Sequence, residues 1–322
     1  MVSEKRIREE LKHTLAETHL SDALGTREEG KVRDSYKQPG RRIIVTTDRI
    51  SAFDCVLGTI PFKGQVLNQL AAFWFEKTKG IAPNHVLDIP DPCVMVVAEC
   101  EQRPVEFVVR GYITGVTKTS LWYNYEKGVR LYCGNPLPEG LRKDQQLARP
   151  ILTPTTKLEA HDRPISREEA IGEGLIDAAT FDAAAAICFK LFDFGVRHAR
   201  KQGLILVDTK YELGKRQGVV TVSDEVHTPD SSRYWFADTY ASLFAAGQDQ
   251  RKIDKEYVRE WYAARGFRGE GQPPVMPDEI RIEAAKRYIQ AYEVITGRDF
   301  VVTDEPAVQR IERNLKAKGY LS

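Results

Sequence analysis

The chain has no CxxC pair. Its five cysteines, Cys55, Cys93, Cys100, Cys133 and Cys188, are scattered and odd in number. The spacing offers no zinc site, and they read as small core residues in a reducing compartment. No apolar run approaches the roughly 18 residues that a membrane-spanning helix needs. The opening MVSEKRIREELKHTLAET is charged and helical in pattern, without an apolar signal core, so a cytoplasmic protein with no membrane partner is expected. Net charge is almost absent, at +1, which excludes a general attraction to nucleic acid or membranes; anion binding has to come from local clusters. Repeats and low-complexity segments are also lacking. What remains is an ordinary globular composition, 42% hydrophobic and 29% charged, over 322 residues. That length suggests two lobes rather than one small module.

One stretch carries most of the chemistry, Gly203 to Trp235: GLILVDTKYELGKRQGVVTVSDEVHTPDSSRYW. With period two, Ile205, Val207, Thr209, Tyr211 and Leu213 share one face, as a half-buried strand requires. Leu204, Leu206, Asp208, Lys210 and Glu212 share the other. After Gly214 to Gly218 a second β-rich run, Val219 to Val222, ends in Ser223, Asp224 and Glu225. A hairpin brings Asp224 back beside the first strand. Carboxylates around one lysine have the composition of a Mg²⁺–phosphate site. The competing reading is a solvated strand face with cross-strand ion pairs.

Residues 3 to 18 read as an amphipathic helix. Gly25 to Val32 (GTREEGKV) approaches the P-loop pattern, but Val32 stands where the Mg²⁺-binding hydroxyl belongs, and KVRDSY alternates like a strand. A P-loop is therefore rejected. Lys31, Arg33 and Ser35 then lie on one strand face, which suits either phosphate recognition or solvent. A second strand, Arg42 to Thr46, runs into TTDRISAFD, where Asp48, Arg49, Ser51 and Asp54 offer either ligand contacts or turn chemistry. Residues 63–80 form a helix with Leu67, Leu70, Ala71, Trp74 and Phe75 inward. Lys63 precedes it among glycines. Two strands follow, 93–100 and 104–113, and Arg110 closes the apolar run of the second, so it is either paired or ligand-binding. The loop ILTPTTKLEAHDRPIS holds Lys157, Glu159, His161 and Asp162; His161–Asp162 suggests a metal or acid–base pair, against the reading of a lone surface histidine. Ser166 to Glu169 is a capping box that opens a helical region to about Gln202, stopped by Gly203. Helices are expected at 254–265, 277–296 and 305–318.

Taken together, GKVRDSY, TTDRISAFD, KGQVLNQLAAFWF, VEFVVRGYITG, TSLWYNY, ILTPTTKLEAHDRPIS, GLILVDTKYELG, DEVHTPDSSRYW and DKEYVREWY run in order from about residue 29 to 262. This chain resembles the SAICAR synthetases of purine biosynthesis. The resemblance implies an α+β fold of two lobes, related to ATP-grasp enzymes, with antiparallel sheets, flanking helices and ATP between the lobes. The lobes are placed at 1–110 for ATP and 111–322 for the substrates and metal, as one continuous catalytic unit. It implies a monofunctional enzyme, without the carboxylase domain of the animal form. The implied reaction joins L-aspartate to carboxyaminoimidazole ribotide (CAIR) with ATP and Mg²⁺, through an acyl phosphate.

By the same resemblance, Lys31 and Arg33 are ATP-phosphate contacts, and the backbone from Val97 to Cys100 receives adenine. Glu212 and Asp224 hold Mg²⁺ and nucleotide. Asp208 and Lys210 face CAIR, and with Glu212 form the catalytic set. Arg110 and Arg233 bind the CAIR phosphate. Val116 replaces a serine common in the family after ITG, which transfers that contact to Thr117, Thr119 or Ser120. Lys63, Ser51 and Asp54 are candidates for the aspartate pocket. Two other readings stay open: a different ATP-dependent kinase or ligase on this fold, and a non-catalytic nucleotide-binding protein. The state of assembly, monomer or dimer, is not legible.

Overall fold

Alternating apolar residues build two large sheets, beside two small two-stranded ones among the described residues. The computed structural model describes residues 2–53, 55–157, 162–253 and 255–321. The chain divides into two compact units: Met1–Glu76, His85–Glu99 and Ile253–Ser322 make the first, Lys77–Asn84 and Cys100–Lys252 the second. The division expected at residue 110 is displaced. Residues from Ile253 onward return to the first unit, and the whole strand Val105–Ile113 belongs to the second.

In the first unit, β1 (Thr26–Glu29), β2 (Arg33–Gln38), β3 (Arg41–Thr46), β4 (Val86–Asp91) and β5 (Val94–Ala98) form an antiparallel sheet in the order β1-β2-β3-β5-β4. Its inner face is Tyr36, Ile43, Val45, Val94 and Val96, covered by Ile311 and Leu315 of the helix Ala307–Ala317. That helix also buries Arg310 against Asp91 (3.0 Å). A terminal helix paired this way is part of the core of the first unit, and the chain from Ile253 onward, about its last fifth, groups with it.

In the second unit, β6 (Val105–Ile113), β7 (Gln145–Leu152), β8 (Leu204–Arg216), β9 (Val219–Ser223) and β10 (Ser232–Phe236) belong to one seven-stranded sheet. Its main path is β7-β6-β8-β9, and β10 pairs with β8. The 13-residue β8 is the spine, because it pairs with four other strands in turn. Its back is covered by the helix Ala178–Lys201, with Phe181 against Phe107 at 5.2 Å. The capping box at Ser166 is present, but its helix stops at Gly172 and a new one starts behind the Asp177 cap. All five cysteines are free. No described helix is long and apolar enough to cross a membrane.

Candidate active site

The alternation along β8 sets the geometry. Asp208, Lys210 and Glu212 lie on one face, while Thr209, Tyr211 and Leu213 are buried on the other. From Asp208 to Glu212 an extended strand covers about 13 Å, and a different cluster sits at each end.

At the first end Asp208 stands opposite both Arg110 of β6 and Arg233 of β10. The Nη1 atoms of the two arginines donate to the same oxygen, Asp208 Oδ2, at 3.0 and 2.5 Å. Arg110 is buried and also donates to Thr153 Oγ1 (2.8 Å) and the Thr119 carbonyl (3.1 Å). Among the described contacts, one carboxylate holds two guanidiniums together here. The loop after β6 closes on this pair. A side chain at Gly115 (φ 92°) would place its Cβ 2.4 Å from Ser120 Oγ and 3.1 Å from Arg233 Nη2. Ser120 is buried; its hydroxyl accepts from the Thr117 amide (3.2 Å) and meets Thr117 Oγ1 at 2.7 Å. Thr117 and Thr119 are half-buried, and Val116 is exposed.

At the other end Lys210 Nζ donates to Glu212 Oε1 (2.5 Å) and Glu106 Oε1 (3.0 Å), with Asp224 Oδ2 at 3.6 Å. Lys157 Nζ donates to the second oxygen of Glu212. Burial acts to lower the Lys210 pKa, but Glu212, Asp224 and Glu106 outweigh it and hold the ammonium well above its usual range. Burial raises Glu212, yet the neighbouring lysines keep it ionised and lowered. Glu106 is raised, by burial first and then by the charge of Glu212. Among the described residues, the carboxylates of Glu106, Glu212 and Asp224 gather here around the ammonium groups of Lys210 and Lys157.

The hairpin returns Asp224 as the alternation requires, though its turn is tighter than the expected Gly214–Gly218. β8 runs on to Arg216, and Gln217 and Gly218 (φ 51° and 79°) make a two-residue connection.

The remaining candidates fall elsewhere. Lys31 is exposed just ahead of β2, and Arg33 is half-buried at its start. Val97 is buried in β5 opposite Arg42, and Cys100 is buried at the start of the second unit. Between them the Ala98 and Glu99 amides already donate to the His85 and Gly40 carbonyls. Lys63, the candidate for an aspartate pocket, is fully buried, its Nζ 5.5 Å from the Tyr288 ring centre. Asp48 and Arg49 are architectural: Asp48 accepts from the Leu15 and Gly64 amides (2.8 Å each), and Arg49 donates to Asp34 (2.8 Å) and the Gly30 carbonyl (2.9 Å). Asp54, Glu159 and His161 lie outside the described residues.

Glu106 and Lys157 were missed as site residues. Glu106 had a signal: it shares with Arg110 the parity of β6, and both interrupt an apolar run. Lys157 lies in the ILTPTTKLEAHDRPIS motif, but only the fold brings that loop beside Glu212. Among the described residues no group of three or more His, Cys, Asp or Glu is spaced to hold a metal on its own.

Known proteins share this arrangement of sequence and fold. The SAICAR synthetase family model matches residues 26–274. A Legionella pneumophila (strain Paris) protein named phosphoribosylaminoimidazole-succinocarboxamide synthase is 48% identical over 292 residues, 90% of this chain and 93% of that one. A chloroplastic synthase of the same name from Arabidopsis thaliana is 48% identical over 315 residues, 96% of this chain and 77% of that one. The structure of SAICAR synthase from Saccharomyces cerevisiae complexed with SAICAR superposes with a TM-score of 0.77 at 31% identity, covering 90% of this chain and all of that one. With the α+β architecture, these matches over most of its length place the chain in the SAICAR synthetase family.

Proposed function

We infer that this chain is an ATP-dependent ligase that joins L-aspartate to the carboxylate of CAIR, giving SAICAR, ADP and phosphate in purine biosynthesis. The observation that carries the inference is the single strand β8, which presents a cationic clamp at Asp208 and a carboxylate–lysine cluster at Glu212. A carboxylate is a poor electrophile. An oxygen of the CAIR carboxylate attacks the γ-phosphorus, ADP leaves, and the acyl phosphate that results has a competent leaving group. The deprotonated aspartate amine then attacks the acyl carbon, and phosphate leaves. The protein's work is positioning and charge neutralisation.

In this reading Arg110 and Arg233 bind the ribotide phosphate, and Asp208 orients both guanidiniums. Thr117 and Ser120 line the same loop. Lys210 neutralises the reacting carboxylate between the two clusters. Lys31 and Arg33 are assigned to the ATP phosphates and the backbone from Val97 to Cys100 to adenine, on the motif resemblance. Mg²⁺ fits the Glu212 end, because the donors are hard carboxylate oxygens. Glu212 and Asp224 would hold it, and it supplies charge neutralisation to the transferring phosphoryl group. A cytoplasmic enzyme with small-molecule partners only belongs to the same proposal.

The test is one assay with ATP, CAIR and L-aspartate, following ADP and the succinyl product. Stoichiometric ADP and product that require all three substrates support the ligase. ADP release without product, or no turnover, would overturn it.

A further inference from the structure

The segment Asp224–Ser231 carries Asp224 at its start and leads into Arg233. Its far end is stapled to β8: the Lys210 amide donates to the Ser231 carbonyl (2.9 Å), and Ser232 Oγ donates to Thr209 Oγ1 (2.7 Å). Its near end is strained. Asp224 and His227 are both in the left-handed region, at φ 66° and 52°, without being glycine. Such residues persist where surrounding structure over-determines them, and they gather at functional sites.

The over-determining contact is on the buried face of β8. His227 is fully buried, with Nε2 2.5 Å from Tyr211 Oη, and its carbonyl accepts from Tyr234 Oη (2.8 Å). Tyr211 lies between Lys210 and Glu212 in sequence but points the opposite way. The helix Ala178–Lys201 leaves room for the imidazole at one residue: a Cβ on Gly195 would lie 2.4 Å from His227 Cε1 and 2.8 Å from Nδ1. Burial, helped by the charge of His198, pushes the imidazole pKa down to about 3, so the ring is neutral at pH 7.

We propose that His227, locked to Tyr211 in the Gly195 notch, is a positioning residue for the nucleotide end of the site: it holds Asp224 in its left-handed conformation beside Lys210 and Glu212. This rests on the ligase reading above. The far staples do not depend on His227, so Arg233 and the CAIR end keep their geometry without it.

The test uses the full chain with Tyr211→Phe, which removes the hydroxyl and keeps the ring, and His227→Phe, which removes the other partner. MgADP binding is measured by calorimetry, the KM for MgATP and for CAIR by steady-state kinetics, and folding by circular dichroism. Each variant is expected to bind MgADP about tenfold more weakly, with the KM for MgATP raised in proportion and that for CAIR unchanged. The double variant should add little, because both changes break one interaction. If the variants lose thermal stability but bind MgADP as the wild type does, the residue is merely structural and the proposal fails. A rise in both KM values would also overturn it. If His227→Phe fails to fold, Tyr211→Phe decides alone. Wild-type protein that binds no MgADP would bring down the ligase reading and this assignment together; wild-type binding with unaltered variants brings down only the assignment.

Discussion

Two arginines converge on one carboxylate oxygen at Asp208, but they are not equivalent. Arg233 is about one-fifth exposed in its side chain, whereas Arg110 is 6% exposed and tied to Thr153 and the Thr119 carbonyl. Arg233→Ala should therefore act mainly on binding. The KM for CAIR is expected to rise about 10- to 100-fold, the worth of a charge-assisted contact, with kcat little changed. Arg110→Ala removes a buried partner of Asp208 and one of the two donors to the loop carbonyl of Thr119, leaving only the Tyr132 hydroxyl there. It should destabilise the protein by on the order of 3 kcal/mol as well as weaken CAIR binding; denaturant titration beside the kinetics separates the two. At the other cluster Glu212→Gln withdraws the charge that faces both Lys210 and Lys157. Turnover should be lost while the fold survives, and near-normal activity would refute the role of Glu212 in the metal and nucleotide end.

At the scale of elements, β8 has to remain a continuous strand through Gly214 for Glu212 to sit opposite Ser223. The reason for glycine there is close approach: a Cβ would lie 2.9 Å from both Cys100 Cβ and the Glu101 carbonyl oxygen. Gly214→Ala should cost about 1–3 kcal/mol, since backbone cannot give way as a flexible side chain can. The measurement is the thermal midpoint, with activity per folded molecule as the second readout. The same residue shows what a sequence can and cannot say. The alternation of Asp208, Lys210 and Glu212 is local and was readable directly, as were the return of Asp224 and the Ser166 capping box. Gly214 looked like the start of a turn, because its true constraint is a segment more than a hundred positions earlier. Nothing local reveals that Lys63 and Arg49 are each enclosed by later or earlier chain. The helix Ala237–Ala245 was missed altogether, being short and without a side-chain cap.

For the whole molecule, two buried groups titrate in opposite senses, one in each unit. His227 in the second unit has its pKa pushed from 6.5 down to about 3 by burial and by His198. The unfolded chain binds that proton at a pH where the folded chain refuses it. The stability it contributes is therefore complete above about 6.5 and is lost as pH falls toward 3. Asp48 in the first unit is pushed from 3.8 up to about 6 by burial, against the amides of Gly64 and Leu15. Here the folded chain takes the proton first, so the contribution is complete below 3.8 and is lost as pH rises through 6. Between those limits the two slopes oppose, and the wild-type curve hides both. Single substitutions expose them. On acidification from about pH 7 to about pH 4, the stability advantage of wild type over His227→Gln should narrow. Over the same range its difference from Asp48→Asn should move in favour of wild type. Urea unfolding at several pH values measures both. Where the two units unfold in separate steps, the His227 effect belongs to the transition of the second unit and the Asp48 effect to that of the first. Parallel changes in the two variants would contradict the assignment of opposite proton affinities to these buried sites.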